Sequence, residues 1–210
     1  MTGVTAQQVV AEQRLIAIVR SDSAERAVHA GRSLLGAGVR CLEVSLVTPG
    51  ALDAIRMLAA DRPAGSHVGV GTVLTEAEAE AAAAAGATFV VSPTVDLAVI
   101  GRTKRLGLAS FPGAATPSEA CAAASAGADA VKIFLASAWT PRVLRDVLAA
   151  LPWLRTVPTG GIGYDEAADW IRAGAVAVGL GSTLASADGS VVPERIRALL
   201  RDLAVAASPG

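Results

Sequence analysis

Lysine is scarce in this sequence, and one of its two copies stands in an apolar segment. Lys132 lies in AVKIFLA (130–136), whereas Lys104 lies in a polar segment of helical pattern. Burial of an unpaired ammonium group is strongly unfavourable, and desolvation lowers the pKa of the amine. A neutral amine attacks carbonyl carbons, so Lys132 is the first candidate for a Schiff-base nucleophile. The competing interpretation is a buried ion pair without chemistry.

A second charged residue stands in another apolar segment. Glu43 lies in CLEVSLV (41–47), where strand alternation places it on one face with Ser45 and away from Leu42 and Val44. A carboxylate beside a reactive amine could carry the protons that imine and enamine formation require. Such a carboxylate would raise the pKa of Lys132 and burial would lower it, and Arg20 could offset the carboxylate. The alternative is that Glu43 and Lys132 form only a structural pair.

Two glycine-containing segments near the end of the chain suggest an anion site. They are Thr159-Gly160-Gly161 and Gly179-Leu180-Gly181-Ser182. Glycine allows the backbone to approach an anion closely, and barrels often bind phosphate in the loops after their last two strands. Tight turns also favour glycine, so each segment alone is weak evidence for an anion site. Together they predict phosphate or another anion.

The sequence offers no pattern for a metal ion or another cofactor. Cys41 and Cys121 lack the short spacing of a metal knuckle or redox pair, and His29 and His67 stand apart. P-loop, H-E-x-x-H and G-x-S-x-G motifs do not occur, nor do clustered carboxylates. We therefore expect neither a metal ion nor a cofactor.

Composition narrows the functional classes further. With 210 residues, 52% hydrophobic and 18% charged, the chain can bury a large core. A net charge of −1 with both signs interspersed argues against nucleic-acid and membrane partners. No stretch of eighteen apolar residues is free of Gly, Pro or charge, and MTGVTAQQVVAEQRL lacks the pattern of a secretory signal. We therefore expect a cytoplasmic protein.

The elements that must position Lys132 and Glu43 are short strands alternating with helices. Helical segments separate eight strands, predicted at 15–20, 41–47, 67–73, 89–95, 108–114, 130–136, 155–162 and 175–182. Several helices end in Gly-containing joints such as Ala85-Gly86-Ala87, which suit left-handed C-caps. Thr75, Thr116 and Thr140 are predicted N-caps, the latter two before a proline.

Eight strand–helix units without a linker predict an α/β fold with one domain over 1–210. We predict a (β/α)8 TIM barrel with an extra N-terminal helix at 5–14 covering its bottom. An open doubly wound sheet is the alternative, but it would want G-x-G-x-x-G after the first strand, where Arg20-Ser21-Asp22 has no glycine. In a barrel the strand ends would bring Arg20, Glu43 and Lys132 to one face.

The motifs, taken in order, resemble those of a known enzyme family. LIAIVR, LEVSLVTP, GVGTVLT, VVSPTV, FPGAATPSEA, AVKIF, PTGGI and GLGS resemble the bacterial 2-keto-3-deoxy-6-phosphogluconate (KDPG) and 2-keto-3-deoxy-6-phosphogalactonate (KDPGal) aldolases, over almost the whole chain. The resemblance implies a class I aldolase built as a (β/α)8 barrel, assembled as a homotrimer, and needing no metal. Its substrates would be a phosphorylated keto acid and pyruvate.

The resemblance also implies a role for each matching residue. Lys132 matches the Schiff-base lysine and Glu43 the proton-shuttling glutamate. Among the substrate-binding positions, Arg20 matches an arginine at the mouth of the site, and Thr72 and Thr159 match contacts to the pyruvyl carboxylate or sugar chain. Pro93 and Phe134 match residues packed around the pyruvyl moiety, and Gly160, Gly161 and Ser182 match phosphate-binding groups.

One position departs from the KDPG aldolase pattern. Those enzymes usually have T-L-R-T after the glutamate, and the arginine helps to hold a substrate carboxylate. This chain has Ser45-Leu46-Val47-Thr48, with no arginine. The KDPGal branch also lacks that arginine. The PTGGI segment, by contrast, is closer to the KDPG branch. The departure leaves the Schiff-base chemistry intact and leaves the sugar-acid epimer open.

We therefore expect reversible cleavage of a 2-keto-3-deoxy-6-phospho sugar acid to pyruvate and glyceraldehyde 3-phosphate. A first alternative keeps this chemistry on unphosphorylated substrates, as a 4-hydroxy-2-oxoglutarate (KHG) aldolase or oxaloacetate decarboxylase. A second alternative is a non-catalytic barrel that binds a phosphorylated sugar acid. The presence of both Lys132 and Glu43 argues against the second.

Overall fold

A computed structural model describes residues 4–185 and 189–207 as a nearly closed barrel of parallel strands surrounded by helices. The strands are β1 (Leu15–Val19), β2 (Cys41–Ser45), β3 (His67–Gly71), β4 (Phe89–Val91), β5 (Ala109–Phe111), β6 (Gly113–Ala114), β7 (Val131–Phe134), β8 (Thr156–Thr159) and β9 (Val178–Leu180). Their order in the sheet is β5-β4-β3-β2-β1-β9-β8-β7-β6, and every ladder between them is parallel. The predicted α/β barrel is confirmed.

The nine strands correspond to the eight predicted ones because the fifth is broken. Pro112 stands between β5 and β6 and has no N–H to donate to a ladder. Residues before it pair with β4, and residues after it pair with β7. The Pro112 carbonyl accepts a hydrogen bond of 2.9 Å from the backbone N–H of Lys132. The segment 109–114 thus brings the two ends of the sheet together.

Helices alternate with the strands around the outside. They are α1 (Ala6–Gln13), α2 (Ala24–Gly36), α3 (Ala51–Asp61), α4 (Glu76–Ala84), α5 (Leu97–Arg105), α6 (Pro117–Ser125), α7 (Pro141–Ala150), α8 (Tyr164–Arg172) and α9 (Pro193–Ala206), and a 3-10 turn spans Ala136–Ala138. Thr75, Thr116 and Thr140 cap α4, α6 and α7 as predicted. No helix among the described residues is long and apolar enough to cross a bilayer.

Strand ends differ from the sequence prediction where the backbone leaves the ladder. The strand predicted at 89–95 stops at Val91, shortly before Pro93, which again lacks an N–H. The strand predicted at 67–73 stops at Gly71, since Thr72 has a φ of 65°, outside the extended region. The last strand, predicted at 175–182, is reduced to Val178–Leu180.

The N-terminal helix closes the bottom of the barrel, as predicted. Val9 and Val10 of α1 are buried in one cluster with Ile16, Phe89 and Phe111. The rings of Phe89 and Phe111 meet edge to face, with centroids 5.8 Å apart. This half of the barrel interior is therefore a packed apolar core.

Gly69 makes space for the Phe89 ring inside the barrel. A Cβ atom built at Gly69 would overlap ring atoms of Phe89. We expect Gly69→Ala to lower the free energy of unfolding by about 1–3 kcal/mol, because a packed core cannot absorb an added methyl group without strain. Urea titration followed by circular dichroism measures the change.

Gly36→Ala is the matched control, since a Cβ at Gly36 would meet nothing within 4 Å. Its stability should be unchanged or slightly higher, as alanine favours the helix. Equal stability of Gly69→Ala and the original chain would contradict close packing at Phe89.

Candidate active site

A cavity of about 870 Å³ opens at the C-terminal ends of the strands, the end of the barrel opposite α1. Its walls come from β1, β2, β3, β7, β8 and β9 and the loops that follow them. It includes all but one of the residues proposed from sequence: Arg20, Glu43, Thr72, Lys132, Phe134, Thr159, Gly160, Gly161 and Ser182. Residues that are far apart in the chain thus share one site.

Lys132 lies in the middle of β7 and points into this cavity. It is only 7% exposed, and its Nζ lies 4.3 Å from the ring centroid of Phe134. Burial lowers the pKa of the amine; the Glu43 carboxylate opposes this effect and Arg20 adds to it. The net direction is downward, which favours the neutral amine that a nucleophile needs.

Glu43 faces the same cavity from β2. Its side chain is 3% exposed, and Gly71 on the adjacent strand leaves room for it, because a Cβ at Gly71 would overlap the carboxylate. Burial raises the pKa of Glu43, while Lys132 and Arg20 work against that rise. A carboxyl group with a raised pKa keeps its proton to a higher pH than an ordinary one, so it can serve as a proton donor as well as an acceptor.

Lys132 and Glu43 do not form a contact ion pair. No salt bridge within 4.0 Å joins Lys132 to a carboxylate among residues 4–185 and 189–207, although Lys104 pairs with Asp129 at 2.7 Å. The two groups still perturb each other's pKa. Both groups therefore face the cavity without being joined in a salt bridge.

Thr72 is held in an unusual backbone conformation at the edge of the cavity. Its φ of 65° lies in the left-handed region, which β-branched residues rarely adopt. The Thr72 hydroxyl shares a 2.8 Å hydrogen bond with the hydroxyl of Ser45, which is fully buried at the end of β2. This bond fixes a polar group beside the Glu43 strand.

The loops after β8 and β9 form one end of the cavity. Gly160 and Gly161 have φ angles of 96° and 81°, so two successive residues adopt a conformation that suits glycine. The Thr183 hydroxyl donates to the Ile162 carbonyl at 3.0 Å and ties the two loops together. Curved backbone of this kind can direct N–H groups toward phosphate oxygens.

Pro93 is the one predicted site residue that the cavity walls do not include. It is half-buried in the loop after β4, and its carbonyl lies behind Gly113, the ladder partner of Lys132. Pro93 therefore contacts the strand beside the nucleophile and does not line the cavity. The sequence grouped Ser92-Pro93 with the residues at the C-terminal strand ends, but it did not indicate the direction in which Pro93 faces.

Sequence reasoning missed Ser21, Asp22 and Thr183, which also line the cavity. Each follows a strand end that was identified, so a search of the residues after Arg20 and Ser182 would have found them. Asp22 is paired with Arg26 on α2. In the described ranges, no group of three or more His, Cys, Asp or Glu residues could hold a metal ion.

The charge of Glu43 should control the titration of Lys132. Glu43→Gln removes the carboxylate that favours the ammonium form, so the pKa of Lys132 should fall further. The neutral amine would then appear at lower pH than in the original chain. Peptide mass spectrometry after brief treatment with trinitrobenzenesulfonate across a pH series measures the midpoint.

Lys104 serves as an internal control in the same digests, since it lies outside the cavity and pairs with Asp129. Its profile should be the same in both proteins. A Lys132 midpoint that is unchanged or higher in Glu43→Gln would rule out electrostatic control by Glu43.

The chain is similar in sequence to known aldolases. Residues 6–197 match the family model described as KDPG and KHG aldolase. A probable 2-dehydro-3-deoxy-6-phosphogalactonate aldolase of Rhizobium meliloti (strain 1021) is 37% identical over 189 residues, covering 90% of this chain and 89% of that protein.

Solved structures are similar over nearly the whole chain. A native KDPGal structure superposes with a TM-score of 0.80 and 32% identity, covering 91% of this chain and 93% of the other. KDPG aldolase from Legionella pneumophila, solved with pyruvate captured at low pH as a covalent carbinolamine, has a TM-score of 0.77 and 25% identity over 98% of this chain and 99% of that one.

Proposed function

This chain belongs to the KDPG and KHG aldolase family, and we propose that Lys132 and Glu43 perform its chemistry. It is a class I aldolase that cleaves a 2-keto-3-deoxy-6-phospho sugar acid to pyruvate and glyceraldehyde 3-phosphate. The observation that carries the assignment of residues is a buried amine with a lowered pKa facing a buried carboxyl group with a raised pKa in one cavity.

Lys132 first forms the covalent link to the substrate. The neutral amine attacks the C2 ketone to give a carbinolamine, and Glu43 in its protonated form donates a proton to the departing hydroxyl. Water leaves and a protonated imine remains. This cation next to C3 is the electron sink for the following step, so the mechanism needs no metal ion or other cofactor.

Glu43 then acts as the base for carbon–carbon cleavage. Its carboxylate removes the proton of the C4 hydroxyl, the C3–C4 bond breaks, and its electron pair passes to the imine to give an enamine. The C4 oxygen becomes the aldehyde of glyceraldehyde 3-phosphate. The enamine takes back a proton at C3, and water releases pyruvate and the free amine of Lys132.

The other predicted site residues bind different parts of the substrate. Thr72 and Thr159 contact the pyruvyl carboxylate or the sugar chain, with Phe134 packed beside the Schiff base, and Arg20 supplies a positive charge at the mouth. Gly160, Gly161 and Ser182 hold the 6-phosphate. Pro93 acts indirectly, since it supports Gly113 beside Lys132.

The phosphogalactonate-type acid is the substrate we favour. Val47 lines the cavity where KDPG aldolases usually have an arginine, and the KDPGal branch shares that absence. The Rhizobium meliloti relative has a KDPGal name. The glycine loops after β8 and β9 favour a phosphorylated substrate over 4-hydroxy-2-oxoglutarate, because the second carboxylate of that shorter acid is attached directly to C4 and reaches less far toward that end of the cavity.

Borohydride reduction in the presence of pyruvate tests the nucleophile. We expect a reduced pyruvyl adduct on the peptide that contains Lys132, with and without a chelator. Lys132→Ala should give no adduct and should lose at least about a thousandfold in turnover, as removal of other covalent nucleophiles does.

Lys104→Arg is the matched control and should retain both the adduct and the turnover, since Lys104 lies on α5 and outside the cavity. An adduct on Lys104, or ordinary turnover in Lys132→Ala, would refute the assignment.

We further propose that the chain is a homotrimer. Val47, Leu74 and Leu97 follow the neighbouring strands β2, β3 and β4 and are 55%, 51% and 62% exposed. Three large apolar side chains exposed just beyond the ends of adjacent strands favour a protein interface. They lie at the same end of the barrel as the active site.

Light scattering during size-exclusion chromatography tests this proposal. The unmodified chain should elute with the mass of three copies, and the double variant Leu74→Glu/Leu97→Glu should elute with a lower mass because charges would be buried at the contact. Val205→Glu is the control, since Val205 is 71% exposed on α9, away from this rim. A monomer in all three cases would contradict the trimer, and a trimer in all three would contradict this interface.

A further inference from the structure

Ser21 has a buried hydroxyl group without a partner among the residues that the structure describes. It lies two residues beyond the end of β1, lines the active-site cavity and is only 8% exposed. Within the part of the chain that the structure describes, its Oγ makes no hydrogen bond. Buried hydroxyl groups in folded proteins are nearly always hydrogen-bonded, so a group of this kind in a cavity wall calls for a partner.

The loop that carries Ser21 is held by a buried hydrogen bond to Thr48. The backbone N–H of Ser21 donates to the Thr48 hydroxyl at 3.1 Å, and Thr48 is 2% exposed. The N–H of Thr48 in turn donates to the Ser45 carbonyl at 3.0 Å. Asp22 beside it is engaged by Arg26. The backbone of Ser21 is therefore held in place, and no residue that the structure describes hydrogen-bonds to its hydroxyl.

Its position along the strand indicates which part of a substrate it meets. Ile18 pairs with Glu43 across the β1–β2 ladder, and Ser21 lies three residues further toward the open end, at most about 10 Å along the strand direction. On the other side, β1 pairs with β9, whose loop contributes Gly181 and Ser182 to the cavity. Ser21 thus lies between the proton-transfer residue and the phosphate loops.

We propose that the Ser21 hydroxyl binds the acceptor half of the substrate, at the hydroxyl-bearing carbons between the cleaved bond and the phosphate. This inference rests on the aldolase function proposed above. A serine hydroxyl can both donate and accept, so it matches a substrate hydroxyl better than it matches a carboxylate or phosphate, which favour cations and several donors. It also supplies a polar contact on the side of the cavity where Val47 offers none.

Separating the two halves of the substrate tests this role. In the direction of aldol condensation, Ser21→Ala should raise the KM for glyceraldehyde 3-phosphate about 3- to 10-fold, the range expected for one neutral hydrogen bond. The KM for pyruvate and the yield of the borohydride-trapped pyruvyl adduct should match those of the original chain. Ser33→Ala, a half-buried serine on α2 outside the cavity, should leave all these values unchanged.

Thermal unfolding separates a binding role from a structural one. Because the Ser21 Oγ has no partner in the described protein, its removal should leave the Tm of the free enzyme the same or higher. A lower Tm with an unchanged KM for glyceraldehyde 3-phosphate would overturn the proposal and make Ser21 structural. An equal rise in both KM values would also overturn it and assign Ser21 to the pyruvyl half.

Failure of the aldolase function itself would look different. The original chain would then form no pyruvyl adduct with borohydride, and no Ser21 variant would be informative about substrate halves because condensation would be absent. Trapping in the original chain with no kinetic effect of Ser21→Ala would leave the aldolase function standing and refute Ser21 alone.

Discussion

The burial of one amine inside the barrel sets the demands on everything around it. Lys132 is buried on β7 beside the aromatic ring of Phe134, and its burial lowers the pKa of its amine. A buried cation without compensation would be unfavourable, but a carboxylate in direct contact would hold the amine in its protonated, unreactive form. Glu43 lies close enough to act electrostatically without forming a contact ion pair. The pair can therefore exchange protons through a substrate rather than neutralise each other.

Small residues in the strands create the space that this arrangement needs. Gly71 leaves room for the Glu43 carboxylate, and Gly179 does the same for Thr159 on the neighbouring strand. Deeper in the barrel, Gly69 accommodates Phe89. Glycine weakens a strand because it loses more conformational freedom on folding. Here the loss is offset by side chains that fill the vacated volume, polar near the mouth and aromatic near the bottom.

Two kinds of feature could be predicted from the sequence: repeated local patterns, and charged residues that stand in otherwise apolar strands. The alternation of strands and helices, the threonine caps and the helix at 5–14 follow from local patterns, and all are present. Lys132 and Glu43 were identifiable because charges are costly in buried strands. The break of the fifth strand at Pro112 depends on how the sheet closes, which is a property of tertiary pairing. The direction in which Pro93 faces has the same origin. Ser21 is marked only by its position after the first strand, because serine is ordinary in a loop.

The bottom of the barrel stabilises the fold, and the top carries the residues of the active site. At the bottom, α1 and the Phe89–Phe111 pair form an apolar plug. At the top, the structure accepts several features that oppose stability: a lysine and a glutamate with perturbed pKa values, a threonine in a left-handed conformation, and a buried serine hydroxyl without a described partner. Each of these lies in the wall of a single cavity. Strain and unsatisfied groups persist only where the surrounding structure enforces them, and the packed lower half supplies that rigidity. The features that destabilise the free enzyme are the ones a substrate can satisfy, so part of the cost of folding this site is recovered when the substrate binds.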